Sequence, residues 1–236
     1  MSTNPAKGLL ALWEAGTSPL ALLRAAEPSG VQDDALARLP VGARDGKLIA
    51  HQRRLFGPAI EATVPCAECG ETAEVTLDAD SLLAMAPEEV APIAITSGAW
   101  RIEARPADSR DMAALAMEVP EAAERALLAR VVTLCTRDGA PADPANLPPE
   151  AVAAIEDALE AADPLAAITL LVACPHCGAS IPALHDPAHH LARSVAAEAR
   201  RLLAEVAALA RAYGWREADI LAMTPQRRAA YLELAA

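Results

Sequence analysis

Two stretches carry the sharpest chemistry in the chain: VPCAECGETAEVTLD around residue 66 and LVACPHCGASIPALHD around residue 174. Each holds a Cys-x-x-Cys pair followed by glycine, so Cys66, Cys69, Cys174 and Cys177 make two matching half-sites. Four thiolates suit a tetrahedral Zn²⁺ ion with Zn–S bonds of about 2.3 Å, and two intervening residues let both sulfurs of a pair face one ion. Gly70 and Gly178 permit the left-handed backbone that such a turn needs. Two CxxCG hairpins are the zinc-ribbon pattern, and one structural Zn²⁺ held by the four cysteines is the expectation. The 104 residues between Cys69 and Cys174 fit only if an insert splits the ribbon and its ends lie close in space.

Catalytic alternatives lack their partners. A closed Cys₄ site leaves no open position for water or substrate. Zinc deaminases need His-x-Glu with Pro-Cys-x-x-Cys, and no His-x-Glu occurs; no His-Glu-x-x-His occurs either. Thiol-redox chemistry wants one CxxC opening a helix after a strand, whereas both pairs here precede strands or turns. No Gly-rich phosphate loop or nucleophile elbow is present. A non-enzymatic protein is expected. Cys135 reads as a small buried hydrophobe at the end of a helical stripe. His185, His189 and His190 in HDPAHH could gather a second metal, although an Asp-Pro helix start explains that segment. His176 reads as an exposed turn residue.

The elements that must position these cysteines follow from periodicity and breakers. The fold class expected is mainly α with a small β zinc ribbon, with a helical insert between the hairpins and a C-terminal helical segment. Residues 1–60 form an N-terminal helical segment, with two short helices broken around Gly16–Pro19. Ser18–Pro19 makes a cap and first-turn pair, and residues 43–56 form an amphipathic helix with Leu48, Ile49, Arg53 and Leu55. Residues 61–80 and 166–185 are the split ribbon, whose sequences alternate in period two.

Residues 81–165 are a mostly helical insert. It holds one strand at Trp100–Ala104, a helix introduced by Ser109, a helix from Glu121 to Cys135, a turn-rich loop and a helix ending near Asp163–Pro164. The second of these helices repeats Ala123, Leu127, Val131 and Leu134 at helical spacing. In 186–236 Asp186 caps a long helix with the stripe Leu191, Val195, Ala199, Leu202, Val206, Leu209 and Tyr213. Gly214 ends it, and two short helices follow, the last opened by Thr224–Pro225.

Composition bounds the rest. The chain has 236 residues, a net charge of −12 and 3% aromatics, so close helix packing must supply the core. Residues 71–163 hold 19 Asp/Glu against 6 Arg and no Lys, a solvated acidic face or a site for a basic partner. General nucleic-acid and anionic-membrane binding is disfavoured, because polyanions are captured through Lys and Arg. No secretory signal and no membrane span are expected, and a cytoplasmic location is the economical reading. Arg53–Arg54 and Arg227–Arg228 could be small basic contact points.

The C-terminal AYGWREADILAMTPQRRAAYLELA resembles the end of the T4-type baseplate hub assembly chaperone family of contractile phage tails and related injection systems. The order of RDGKLIAHQRRLFGPAIEATVPCAECGE, WRIEARPADSRDMAAL and DPLAAITLLVACPHCGA extends the resemblance from about Val41 onward. It implies a non-enzymatic factor that holds baseplate or hub proteins until they assemble. Trp215, Ile220, Arg227, Arg228 and Tyr231 match the C-terminal motif. Of these, Trp215, Arg227, Arg228 and Tyr231 are the candidate partner-binding residues, and packing is the competing role for Trp215, Ile220 and Tyr231. The shortest members of that family do without the ribbon half, which makes it an elaboration here. Two other classes remain open: a zinc-ribbon adaptor for nucleic acid or transcription machinery, and a thiol enzyme.

Overall fold

The computed structural model describes residues 5–27 and 30–235. The elements run α1 (Pro5–Glu14), α2 (Pro19–Ala26), α3 (Asp33–Ala37), α4 (Val41–Phe56), β1 (Ala59–Pro65), β2 (Thr72–Asp78) and α5 (Ala79–Ala84). Then come β3 (Ile93–Ser97), β4 (Trp100–Ala104), α6 (Ser109–Leu115), α7 (Pro120–Val131), β5 (Val132–Arg137), β6 (Ala140–Pro141) and α8 (Pro149–Ala162). The chain continues through β7 (Ile168–Ala173), β8 (Ser180–His185), α9 (Pro187–Tyr213), α10 (Glu217–Leu221) and α11 (Pro225–Ala235). The fold is mainly helical with some β structure. It divides into two compact units, residues 30–187 and residues 1–29 with 188–236. The stretch 1–60, read from sequence as one segment, is therefore shared between the units.

In the smaller unit the helical stripe of α9 is real. Leu191, Val195, Ala199, Leu202, Val206 and Leu209 are all buried, while Tyr213 stays 36% exposed. Gly214, with φ of 69°, ends the helix and donates its N–H to the Ala210 carbonyl. Thr224 caps α11 by accepting the Arg227 N–H at 3.3 Å. Ser18 precedes Pro19 as expected but makes no side-chain capping bond.

The larger unit holds every cysteine. Two antiparallel hairpins, β1–β2 and β7–β8, are separated in sequence by a four-stranded antiparallel sheet in the order β3-β4-β5-β6. Only β4 was expected. The insert thus carries a four-stranded sheet beside its helices. The helix expected from Glu121 to Cys135 stops at Val131, and Val132–Arg137 turns into β5. The β-branched run Val131-Val132-Thr133 favours extended backbone, and β4 offers an edge that pairs Ile102 with Cys135 and Trp100 with Arg137. Leu134 accordingly points outward and is 38% exposed. Asp138 and Gly139, both at positive φ, form the two-residue turn from β5 into β6.

Trp100, Ile102, Ala104, Ala151 and Ile155 form the core of the insert, joining the sheet to α8. Helix α6 is capped by Asp108 rather than by Ser109. Asp108 accepts backbone N–H bonds from Arg110 and Asp111, and Asp111 returns a bond to the Asp108 N–H. The amphipathic helix read for residues 43–56 forms as α4; Leu48 and Ile49 are on its buried side, while Arg53 and Leu55 face solvent.

Candidate metal centre

Each hairpin is built by alternation. Ile60 in β1 and Ile168 in β7 point into a core with Ile49 of α4, Ala79 and Leu82 of α5, and Leu165. That core ties the bases of both hairpins together. Toward the tips, Val64 and Val172 pack beside Cys66, Ala73, Cys174 and Ile181 in a second small cluster. The alternation that buries Ile60 therefore also turns Cys66 inward, and Ile168 stands in the same relation to Cys174.

The two cysteine turns use the same backbone bonds. The Cys66 N–H donates to the Glu71 carbonyl at 2.8 Å, and the Gly70 N–H to the Cys66 carbonyl at 2.9 Å. In the second turn the Cys174 N–H donates to the Ala179 carbonyl at 2.8 Å, and the Gly178 N–H to the Cys174 carbonyl at 3.0 Å. Gly70 and Gly178 sit at φ of 77° and 74°, left-handed values that a side chain would strain.

These turns bring the four sulfurs together across the intervening insert. Cys66 Sγ lies 3.7 Å from Cys177 Sγ, Cys69 Sγ lies 3.7 Å from Cys174 Sγ, and all four lie within 4.8 Å of one another. A tetrahedron of sulfurs about 2.3 Å from a central Zn²⁺ has edges of about 3.8 Å, so the cluster fits a bound ion closely. A disulfide needs about 2.05 Å, and all the cysteines are free thiols. The first cysteine of each pair is buried and the second exposed, which places the cluster at the surface end of the hairpins.

The protonation chemistry of the cluster also favours a cation. The N–H groups of Cys177 and His176 aim at Cys174 Sγ and draw its pKa down to about 6. At Cys69 the Glu71 N–H favours the thiolate, but lost hydration and the neighbouring sulfurs outweigh it and push the pKa up to about 12. Cys177 is raised too, because desolvation and the Cys174 and Cys66 thiols outweigh the Ala179 N–H. Clustered thiols thus lose their protons one at a time, each thiolate opposing the next. A divalent ion at the centre would remove that conflict and convert metal binding into folding energy.

Among the described residues these four cysteines are the one group of three or more His, Cys, Asp or Glu donors that converges tightly. His185, His189 and His190 make no such group, and His176 is exposed at the second hairpin tip. Cys135 lies on β5 rather than on a helix. It packs half-buried against the core of the insert, and burial raises its pKa.

The remaining candidates divide by burial. Arg228 is 6% exposed, pairs with Glu205 at 2.9 Å and donates to the Met223 carbonyl at 3.0 Å, so it braces the C-terminal helices. Arg227 is exposed and lies over the Tyr231 ring at 5.7 Å. Trp215 stacks on Tyr213 with ring centroids 4.5 Å apart and meets Tyr231 edge-on at 4.7 Å. All three aromatics remain partly open to solvent. Ile220 is fully buried. Arg53 pairs with Asp80, and Arg54 contacts His51 Nδ1 at 2.6 Å, so both are engaged within their own unit.

Sequence reading missed the buried ionic groups that brace the larger unit. Asp111, 1% exposed, accepts from Arg105 at 2.7 and 3.0 Å and from Arg130 at 2.9 Å, and its pKa falls to about 2. Burial acts against that ionised form, and the two arginines together with the Asp108 N–H outweigh it. Asp163 accepts the Gly42 N–H at 2.9 Å where α8 ends and α4 begins, and burial raises its pKa. Asp45, bound by Arg44 at 2.7 Å, is raised for the same reason. A capping-box spacing at Asp108 and Asp111 was the one sequence signal available for these groups.

Compared with models of protein families, with curated proteins and with solved structures, the chain matches none. No described helix is long and apolar enough to cross a membrane.

Proposed function

We propose that this chain is a non-enzymatic assembly factor, or minor component, for the baseplate hub of a contractile phage tail or related injection system, with one structural Zn²⁺ closing a split zinc ribbon. The observation that carries the structural-metal part is the convergence of four sulfurs from two matching turns, with edges near those of a ZnS₄ tetrahedron. Cys66, Cys69, Cys174 and Cys177 would hold the ion. A site filled by four thiolates leaves no position for substrate, so its contribution is a clasp between the two hairpin tips. The chemistry the ion supplies when bound is charge neutralisation of those thiolates.

The assembly role rests on the C-terminal resemblance together with the surface that carries it. Tyr213, Trp215, Tyr231 and Arg227 offer a rigid aromatic and cationic face, the composition that protein interfaces favour. The test is co-purification of the tagged full chain with hub and wedge proteins of a contractile tail expressed together. The proposal expects a stable complex that Trp215→Ala and Arg227→Ala weaken without unfolding the chain. Salt-sensitive retention of DNA or RNA, with no baseplate protein bound, would favour the nucleic-acid adaptor instead.

A further inference from the structure

The sulfur cluster supports chemistry beyond metal holding. Two of its sulfur contacts run between the hairpins, Cys66 to Cys177 and Cys69 to Cys174, each at 3.7 Å. Each of these pairs joins one buried sulfur to one exposed sulfur. Cys69 and Cys177 therefore offer a thiol that a small oxidant can reach, while the buried sulfur of the opposite hairpin stands next to it.

We propose that the cluster is an oxidation site for peroxides, closing into two cross-hairpin disulfides, Cys66–Cys177 and Cys69–Cys174. The step balances with one peroxide per pair. The exposed thiol gives its proton to water and then, as thiolate, attacks a peroxide oxygen; the O–O bond breaks, hydroxide leaves, and the sulfur becomes a sulfenic acid. The buried thiolate of the opposite hairpin then attacks that sulfur, the S–S bond forms, the S–O bond breaks, and a second hydroxide leaves. Each pair gives up two electrons to one peroxide. A metal ion held by the four thiolates loses its ligands and is released.

The connectivity matters for the fold. Disulfides inside Cys66–Cys69 and Cys174–Cys177 would leave the hairpin tips without a link once the metal had gone. Cross-hairpin bonds keep the two tips joined, so the oxidised protein retains its clasp in covalent form. The inference uses the sulfur positions of the proposed metal site but not the identity of the partner or of the ion.

The experiment treats the full-length purified protein with hydrogen peroxide under native conditions and follows released metal with a chromogenic chelator. Remaining thiols are then alkylated, and the protein is digested without reduction for mass spectrometry. The proposal expects peptides linked between residues 66 and 177 and between 69 and 174 as the dominant products, reversed by dithiothreitol, with Cys135 still alkylated. Cys69→Ser should leave the 66–177 link and remove the other, and Cys177→Ser the reverse. Dominant links within either CxxC, or between 66 and 174, would overturn the pairing, as would oxidation to sulfinic acid without disulfide. Metal content measured before oxidation reports on the metal reading separately, because metal-free protein should form the same links.

Discussion

Replacing Gly42 with alanine probes how the chain is led into the second hairpin. Gly42 lies in the first turn of α4, and its N–H is held by the Asp163 carboxylate at 2.9 Å. A Cβ at this position would fall 2.0 Å from Asp163 Oδ1 and 2.8 Å from the Ala166 backbone nitrogen. The carboxylate can swing aside only by giving up a buried, charge-assisted bond of about 1.5–3 kcal/mol. The Ala166 backbone cannot swing, and overpacking of that kind costs about 1–3 kcal/mol. The helix-propensity gain of alanine over glycine returns about 1 kcal/mol at most. The net loss is about 1.5–5 kcal/mol, which for a chain of this size lowers Tm by roughly 3–20 °C.

Gly46, one turn further along α4, is the internal control. A Cβ there meets Leu165 Cδ1 at 3.2 Å, the end of a side chain that can shift. Gly46→Ala should therefore stay within about 1 kcal/mol of the parent, since the helix-propensity gain offsets the small crowding. Urea unfolding of both variants, followed by circular dichroism, measures the difference. A Gly42→Ala protein as stable as the parent, or a Gly46→Ala protein just as damaged, would refute the claim that Asp163 and Ala166 hold α4 at this point.

Asp111→Asn should cost about 2 kcal/mol at pH 7, because the folded-state pKa of about 2 lies below the ordinary 3.8. That stability is present above pH 3.8 and disappears as pH falls through about 2, so the gap between variant and parent in urea midpoints should close across that window. Asp163 and Asp45 act in the opposite sense. Their pKa values are raised, so folding gains from their protonation, and their contribution falls as pH rises from 3.8 through the raised values. Asp163→Asn, which keeps an acceptor for Gly42, should flatten that fall when stability is titrated from pH 4 upward. Arg228→Ala should destabilise by about 2–4 kcal/mol, because it leaves Glu205 and the Met223 carbonyl without their partner, whereas Arg227→Ala should change the thermal midpoint little.

The cysteine site was legible because its information is local. Two CxxCG turns with alternating flanks specify two hairpins, and the number and type of ligands imply a shared centre. The long α9 helix was legible for a similar reason, since seven apolar positions kept one face through its whole length. What could not be read was pairing. The Val132–Arg137 segment continues the helical spacing of α7, and only an available edge at β4 turns it into a strand. β3, with the short sequence Ile93–Ser97, carries too little alternation to stand alone and exists through its ladder to β4.

The ionic supports were hidden for a related reason. Asp111 looks like any acidic residue of an acidic region until Arg105 and Arg130 are seen to converge on it. Asp163 looks like a helix-ending residue, and Gly42 like a weak point in a helix, until the two meet. Arg228 reads as one half of an exposed basic pair with Arg227, and only the approach of Glu205 separates a bracing residue from a surface one.

The most direct measurement of the central claim is the metal content of the purified full-length chain, taken together with its unfolding before and after chelation. The account predicts about one Zn²⁺ per chain, lost in Cys66→Ser, and a broadened, lower thermal transition once a strong chelator has removed the ion. Protein that carries no metal and still melts in one sharp transition, at a temperature unchanged by added Zn²⁺ or chelator, would contradict it.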